Sequence, residues 1–160
     1  MRVLLPLLFL CASSASAQSP AEAHYLSATQ IRDAVAGAGQ AAAHMAAKPL
    51  GDMGAYTYLA VRRDQTGEVE VHATLDDAIV VQEGAATVLY GGQLAGERET
   101  APGERRGGQI TGGTTRSVAA GDLLIIPAGM PHQVRVEPGA SVTYIVVKVA
   151  RAPGSKAPGR

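Results

Sequence analysis

Gly121-Asp122-Leu123-Leu124-Ile125-Ile126-Pro127-Ala128-Gly129-Met130-Pro131-His132 decides how this chain folds. Gly121 opens a turn. Residues 122–126 then run almost wholly apolar, which suits a short strand. Pro127 presets one turn dihedral, and Gly129 allows a positive φ two residues on, so a second tight turn follows. That turn delivers His132 toward the interior of whatever the strand belongs to.

Working outward, the neighbouring segments are also short and β-rich. Strands are expected at residues 56–61, 68–72, 78–82, 85–90, 115–118, 123–126, 133–136 and 141–149. Glu83-Gly84 and Gly91-Gly92 read as hairpin turns between them. Residues 94–113 are polar and glycine-rich, with Arg98, Arg105 and Arg106 beside Glu97, Glu99 and Glu104. They read as a charge-balanced surface loop with a short strand at 108–111; a loop closing over a barrel mouth is the sharper alternative. One helix is expected at about 28–46, opened by the capping-box pattern Ser27-Ala28-Thr29-Gln30. About eight antiparallel strands, with no regular alternation of strand and long helix, exclude a parallel sheet. They predict an all-β, double-sheet jelly-roll barrel with one N-terminal helix.

Composition narrows the function. The 160 residues are enough for one domain with a real core. The formal net charge is zero, which removes the basic face that nucleic-acid binding needs. Apolar residues make up 46% but aromatics only 4%, with no Trp, so the core must be built from Val, Ile, Leu and Ala. Arg2, the apolar run at residues 3–10 and Ala15-Ser16-Ala17 form a signal peptide over residues 1–17, with cleavage expected before Gln18. The run is too short to span a bilayer. A periplasmic or secreted chain without a retained membrane anchor follows. The single cysteine, Cys11, leaves with the signal, so metal ligands must be His, Asp or Glu. Residues 18–50 then read as lead-in and helix, 51–150 as the barrel, and 151–160 as a disordered tail.

Two of the four histidines have informative neighbours. In Glu70-Val71-His72, residues i and i+2 of a strand share one face, roughly 7 Å apart at ~3.3 Å per residue. Asp76 and Asp77 follow just before an apolar strand. If that strand returns beside the first, one of these carboxylates sits opposite His72. Imidazole nitrogen with carboxylate oxygens is a ligand set for a divalent ion. Glu68 reads as part of a solvated face. Arg62 or Arg63 could point into a cavity by alternation, where a guanidinium favours an anionic ligand. Tyr56, Tyr58, Gln82 and Tyr144 are candidates for the cavity wall.

The spacing Gly121-x5-Pro127-x-Gly129-x2-His132 resembles the second signature motif of the cupins. The first cupin motif, G-x5-H-x-H-x3,4-E-x6-G, aligns with less fidelity when anchored on Gly84. His72 falls on its second His, Asp77 on its Glu and Glu70 on its first His. Asp64 stands where the motif opens with Gly, and Val136 where the second motif often ends in Asn. The resemblance spans residues 56–149. It implies a small β-barrel with one divalent ion (Zn, Mn, Fe or Ni) on Glu70, His72, Asp77 and His132. Glu70 is then either a ligand or a catalytic base beside the metal; Asp76 replaces Asp77 if the register slips by one.

Three functions are compatible with this reading. The first is a metal-dependent enzyme of isomerase, dioxygenase or lyase type acting on a small polar molecule. The second is a non-catalytic module for a small ligand or metal. The third is a structural barrel stapled by metal. A homodimer, using the Val-rich strand at 142–149, is implied by the resemblance alone.

Overall fold

The computed structural model describes residues 23–36 and 44–151. The expected signal segment, and nearly all of the expected tail, lie outside these residues. The capping box forms as read: the Gln30 amide donates to Ser27 Oγ (3.2 Å) and the Ser27 amide to Gln30 Oε1 (2.8 Å). The helix it starts, α1 (Ala28–Val35), is far shorter than the expected 28–46. Residues 45 and 46 instead open a strand, β1 (Met45–Asp52), which pairs with β2 (Tyr56–Arg63). Strand pairing overrides the helical preference of the alanines, and Pro49 is tolerated because β1 is an edge strand. The α1 helix packs on β1 and β2 and buries Val35.

Eight strands follow: β3 (Glu70–His72), β4 (Leu75–Tyr90), β5 (Gln93–Ala101), β6 (Glu104–Thr111), β7 (Thr114–Ala119), β8 (Leu123–Ile126), β9 (His132–Arg135) and β10 (Val142–Ala150). All pairings are antiparallel, in the order β1-β2-β10-β4-β9-β3-β6-β5, with β7 and β8 also on β4. Two expectations are corrected here. Residues 94–113 are not a loop but the hairpin β5–β6, whose faces are too polar to show a strand's apolar alternation. Glu83-Gly84 is not a hairpin turn but a corner inside the 16-residue β4.

The corner makes the barrel. Before it, β4 pairs with β10 and β8 in the first sheet. After it, β4 pairs with β7 and β9 in the second. Gly84 sits at φ 74°, and the register against β10 slips at Thr143/Tyr144, leaving Gln82 as the bulged residue. A single strand thereby belongs to both sheets. Between them lies a core of small aliphatics, among them Val61, Ile79, Val88, Ile126, Val134 and Val146. Each fully buried valine of this kind stabilises the fold by roughly 1.5–2 kcal/mol. Because β10 lies between β2 and β4, both its edges are occupied.

Candidate metal centre

The inner faces of the two sheets place one polar cluster in the apolar barrel. From the second sheet, β3 contributes Glu70 and His72, with Val71 on the other face as alternation requires. Register then fixes their neighbours: Glu70 lies opposite His132 of β9 on one side and Arg106 of β6 on the other. His72 lies opposite Glu104. From the first sheet, Asp77 of β4 lies opposite Lys148 of β10. Arg63 ends β2 on the same inner face. The cluster borders a cavity of about 720 Å³ whose other walls include Leu59, Val61, Ile79 and Val146.

The expected strand return does not occur, since β3 pairs with β6 and β9 rather than β4. Asp77 nevertheless meets His72 across the barrel, with Oδ2 3.4 Å from its Nε2 and 3.7 Å from His132 Nε2. Glu70 Oε2 is 3.6 Å from His72 Nε2. Glu70, His72 and His132 each offer a ligand atom, all within 4.8 Å of one another. Donors about 2.1 Å from a shared ion stand roughly 3–4 Å apart; Glu70 and His72 already have that spacing, and the set as a whole lies within an ångström of it. Asp76, the alternative, turns away: its Oδ1 accepts from the Ala128 amide and from Arg151 Nε, both at 2.6 Å.

The outer contacts orient both imidazoles. His132 Nδ1 donates to the Met130 carbonyl (3.1 Å) and His72 Nδ1 to Glu104 (2.6 Å), so each Nε2 faces the cluster. Burial pushes the His132 pKa down, against the pull of the Met130 carbonyl and Glu70, and keeps the ring neutral. Burial also opposes charge on His72, but hydrogen bonding to Asp77 and Glu70 outweighs it and raises its pKa to about 9. As an imidazolium, His72 donates to Asp77; as a neutral ring, it accepts from Lys148 Nζ at 3.0 Å. Only the neutral form binds metal.

Both carboxylates are held ionised. For Glu70, burial works the other way, yet the bond to His72 and the guanidiniums of Arg106 and Arg63 bring it well below the usual carboxylate range. Arg63 Nη2 donates to Glu70 at 2.7 Å while its Nε reaches the Tyr144 hydroxyl at 3.0 Å; Arg106 contacts the second Glu70 oxygen. Asp77 is also lowered despite burial, by His72 and by Lys148, whose ammonium meets both its oxygens at 2.8 and 2.9 Å.

These shifts set a pH window for the metal-free protein. Glu70 and Asp77 have depressed folded values, so their contribution is present above the usual carboxylate range and fades as pH falls. His72 is raised from about 6.5, so its contribution is full below that value and is lost as pH rises through about 9. Thermal melts in chelator should therefore show a loss of stability between pH 7 and 10 that His72→Gln removes. An unchanged alkaline limb in that variant would exclude the His72–carboxylate bonds as its cause.

Arg63 points inward and Arg62 outward, toward Thr143 Oγ1. Of the four wall candidates, Tyr144 alone lines the cavity; Tyr56 and Gln82 are exposed and Tyr58 contacts His24. Glu68 is on a solvated face, as read, paired with exposed Arg98. Sequence reasoning missed Lys148, Arg106 and Glu104. For Lys148 a signal existed: it continues the inward period-2 series Val142, Tyr144, Val146.

No family model and no curated protein matches the chain. Solved structures do. A protein with a double-stranded β-helix domain from Klebsiella pneumoniae is 15% identical, with a TM-score of 0.58 over 83% of this chain and 95% of its own. TT1209 from Thermus thermophilus is 23% identical, with a TM-score of 0.50 over 70% and 89%. The polyketide cyclase RemF from Streptomyces resistomycificus is 18% identical, with a TM-score of 0.48 over 74% and 73%.

Proposed function

We propose that this chain, which has the double-stranded β-helix fold of the cupin superfamily, is an exported metal-binding protein that acts on a small polar molecule in its barrel cavity. One observation carries the reading: His72, His132 and Glu70 converge within 4.8 Å, each imidazole with its Nδ1 anchored and its Nε2 turned toward the cluster. Asp77 completes the ligand set. A bound divalent ion supplies Lewis acidity toward an oxygen of the ligand. Of the two roles open to Glu70, its guanidinium contacts favour the ligand, because stabilising the anion weakens it as a base. The apolar wall beside this centre suits an organic molecule with a polar head. The signal-like residues 1–17 support a periplasmic or secreted location, and among the described residues no helix is long and apolar enough to cross a membrane. A homodimer would use the outer side-chain face of the first sheet, where Leu123 is 62% and Ile125 52% exposed.

The deciding experiment is metal analysis of the purified protein beside His132→Ala. About one equivalent in the wild type, lost in the variant, is the expected result, in a mature chain whose mass starts at Gln18. A wild type that takes up no metal on reconstitution defeats the reading. A second reading, a metal-free binding barrel, would then stand. It is favoured by the absence of any unpartnered buried side-chain nitrogen or oxygen among the described residues.

A further inference from the structure

Lys148 is a cation held where the metal ligands converge. Its Nζ lies 2.8 and 2.9 Å from the two Asp77 oxygens and 3.0 Å from His72 Nε2. The side chain is 19% exposed, so one side of it reaches the cavity while its head is engaged. His72 Nε2 has a single lone pair, which cannot serve an ammonium and a metal ion together. Nor can an ammonium stay about 3 Å from a divalent cation without strong like-charge repulsion in a buried site.

We infer that Lys148 is an internal competitor for the metal: its ammonium fills the Asp77–His72 side of the centre in the metal-free protein and must swing out when an ion binds. This rests on the reading that the centre binds metal. The lysine keeps the buried carboxylate paired when no ion is present, and it raises the metal concentration needed to fill the site. Asp77 joins the ligand set only after that exchange.

The test compares Zn(II) and Mn(II) affinity of the full chain with that of Lys148→Met, by competition with a chromophoric chelator. Tighter binding in the variant, by about tenfold or more, is expected. A lysine that merely supports the site predicts weaker binding instead. If Lys148→Met fails to fold, Lys148→Gln keeps a donor for Asp77 without the charge and answers the same question. In the wild type, reductive methylation of Lys148 relative to exposed Lys48 should rise several-fold on adding Zn(II). Equal or weaker affinity in the variant, with labelling unmoved by metal, overturns the inference and leaves the metal centre standing. No binding by any of these proteins removes the metal reading and the inference with it.

Discussion

Glu70→Ala lowers the melting temperature of the metal-free protein by about 10 °C. Glu70 is the anion shared by Arg63 and Arg106, and it touches His72 as well. Removing it strands two guanidiniums in a mostly buried site, one of them 9% exposed at the side chain. Breaking a buried charge pair from one side costs about 3 kcal/mol. At roughly 3–4 °C per kcal/mol for a domain of this size, the shift follows. Glu70→Gln keeps an acceptor for Arg63 and should recover part of the loss. Melts of the three proteins in chelator check this. A change under about 2 °C in Glu70→Ala would mean that water solvates both guanidiniums and that the cluster does not hold the sheets together.

Gly84→Ala has a comparable effect for a different reason. The residue sits at φ 74°, and a Cβ there would overlap the carbonyl oxygen of Ser141, the residue just before β10. The left-handed conformation alone costs about 1–2 kcal/mol with a side chain present. Forcing β4 away from β10 adds about 1–3 kcal/mol. Because Asp77 and Lys148 face each other across those two strands, their contact and any metal binding should weaken with stability. Gly129→Ala is the control: its φ is 79° but the space around it is open, so only the conformational cost of about 1 kcal/mol applies. Equal melting temperatures for the two variants would remove the close approach at the corner as a determinant of the fold.

The stretch at residues 121–132 was legible because its information is local. Turn, strand, turn and histidine follow one another, and β8 falls at Leu123–Ile126 as read. The common face of Glu70 and His72 was legible for the same reason, since alternation needs no partner strand. What surrounds them was not. Arg106 reaches Glu70 through a hairpin whose polar residues look like a loop. Lys148 meets Asp77 through a register between positions 71 apart in the chain. A Glu-Gly pair carries the same signal for a hairpin turn as for a corner inside a strand, and only the pairing partners separate the two. Likewise, the alanines before Pro49 favour a helix until an edge strand offers their backbone a ladder.

The position of β10 also bears on how the barrel is made. It is the last of the described strands in chain order, yet it lies between β2 and the first half of β4. Those two strands have no pairing with each other, so the first sheet cannot close until residues 142–150 have left the ribosome. At synthesis rates of about 5–20 residues per second, their edges stay open for several seconds. During that interval the nascent chain exposes one edge each of β2 and β4, the edge that β10 will cover, as a template for wrong pairing. Folding therefore waits on its final strand, and a ribosome stalled before Val142 should display a chain that chaperones hold and proteases cut.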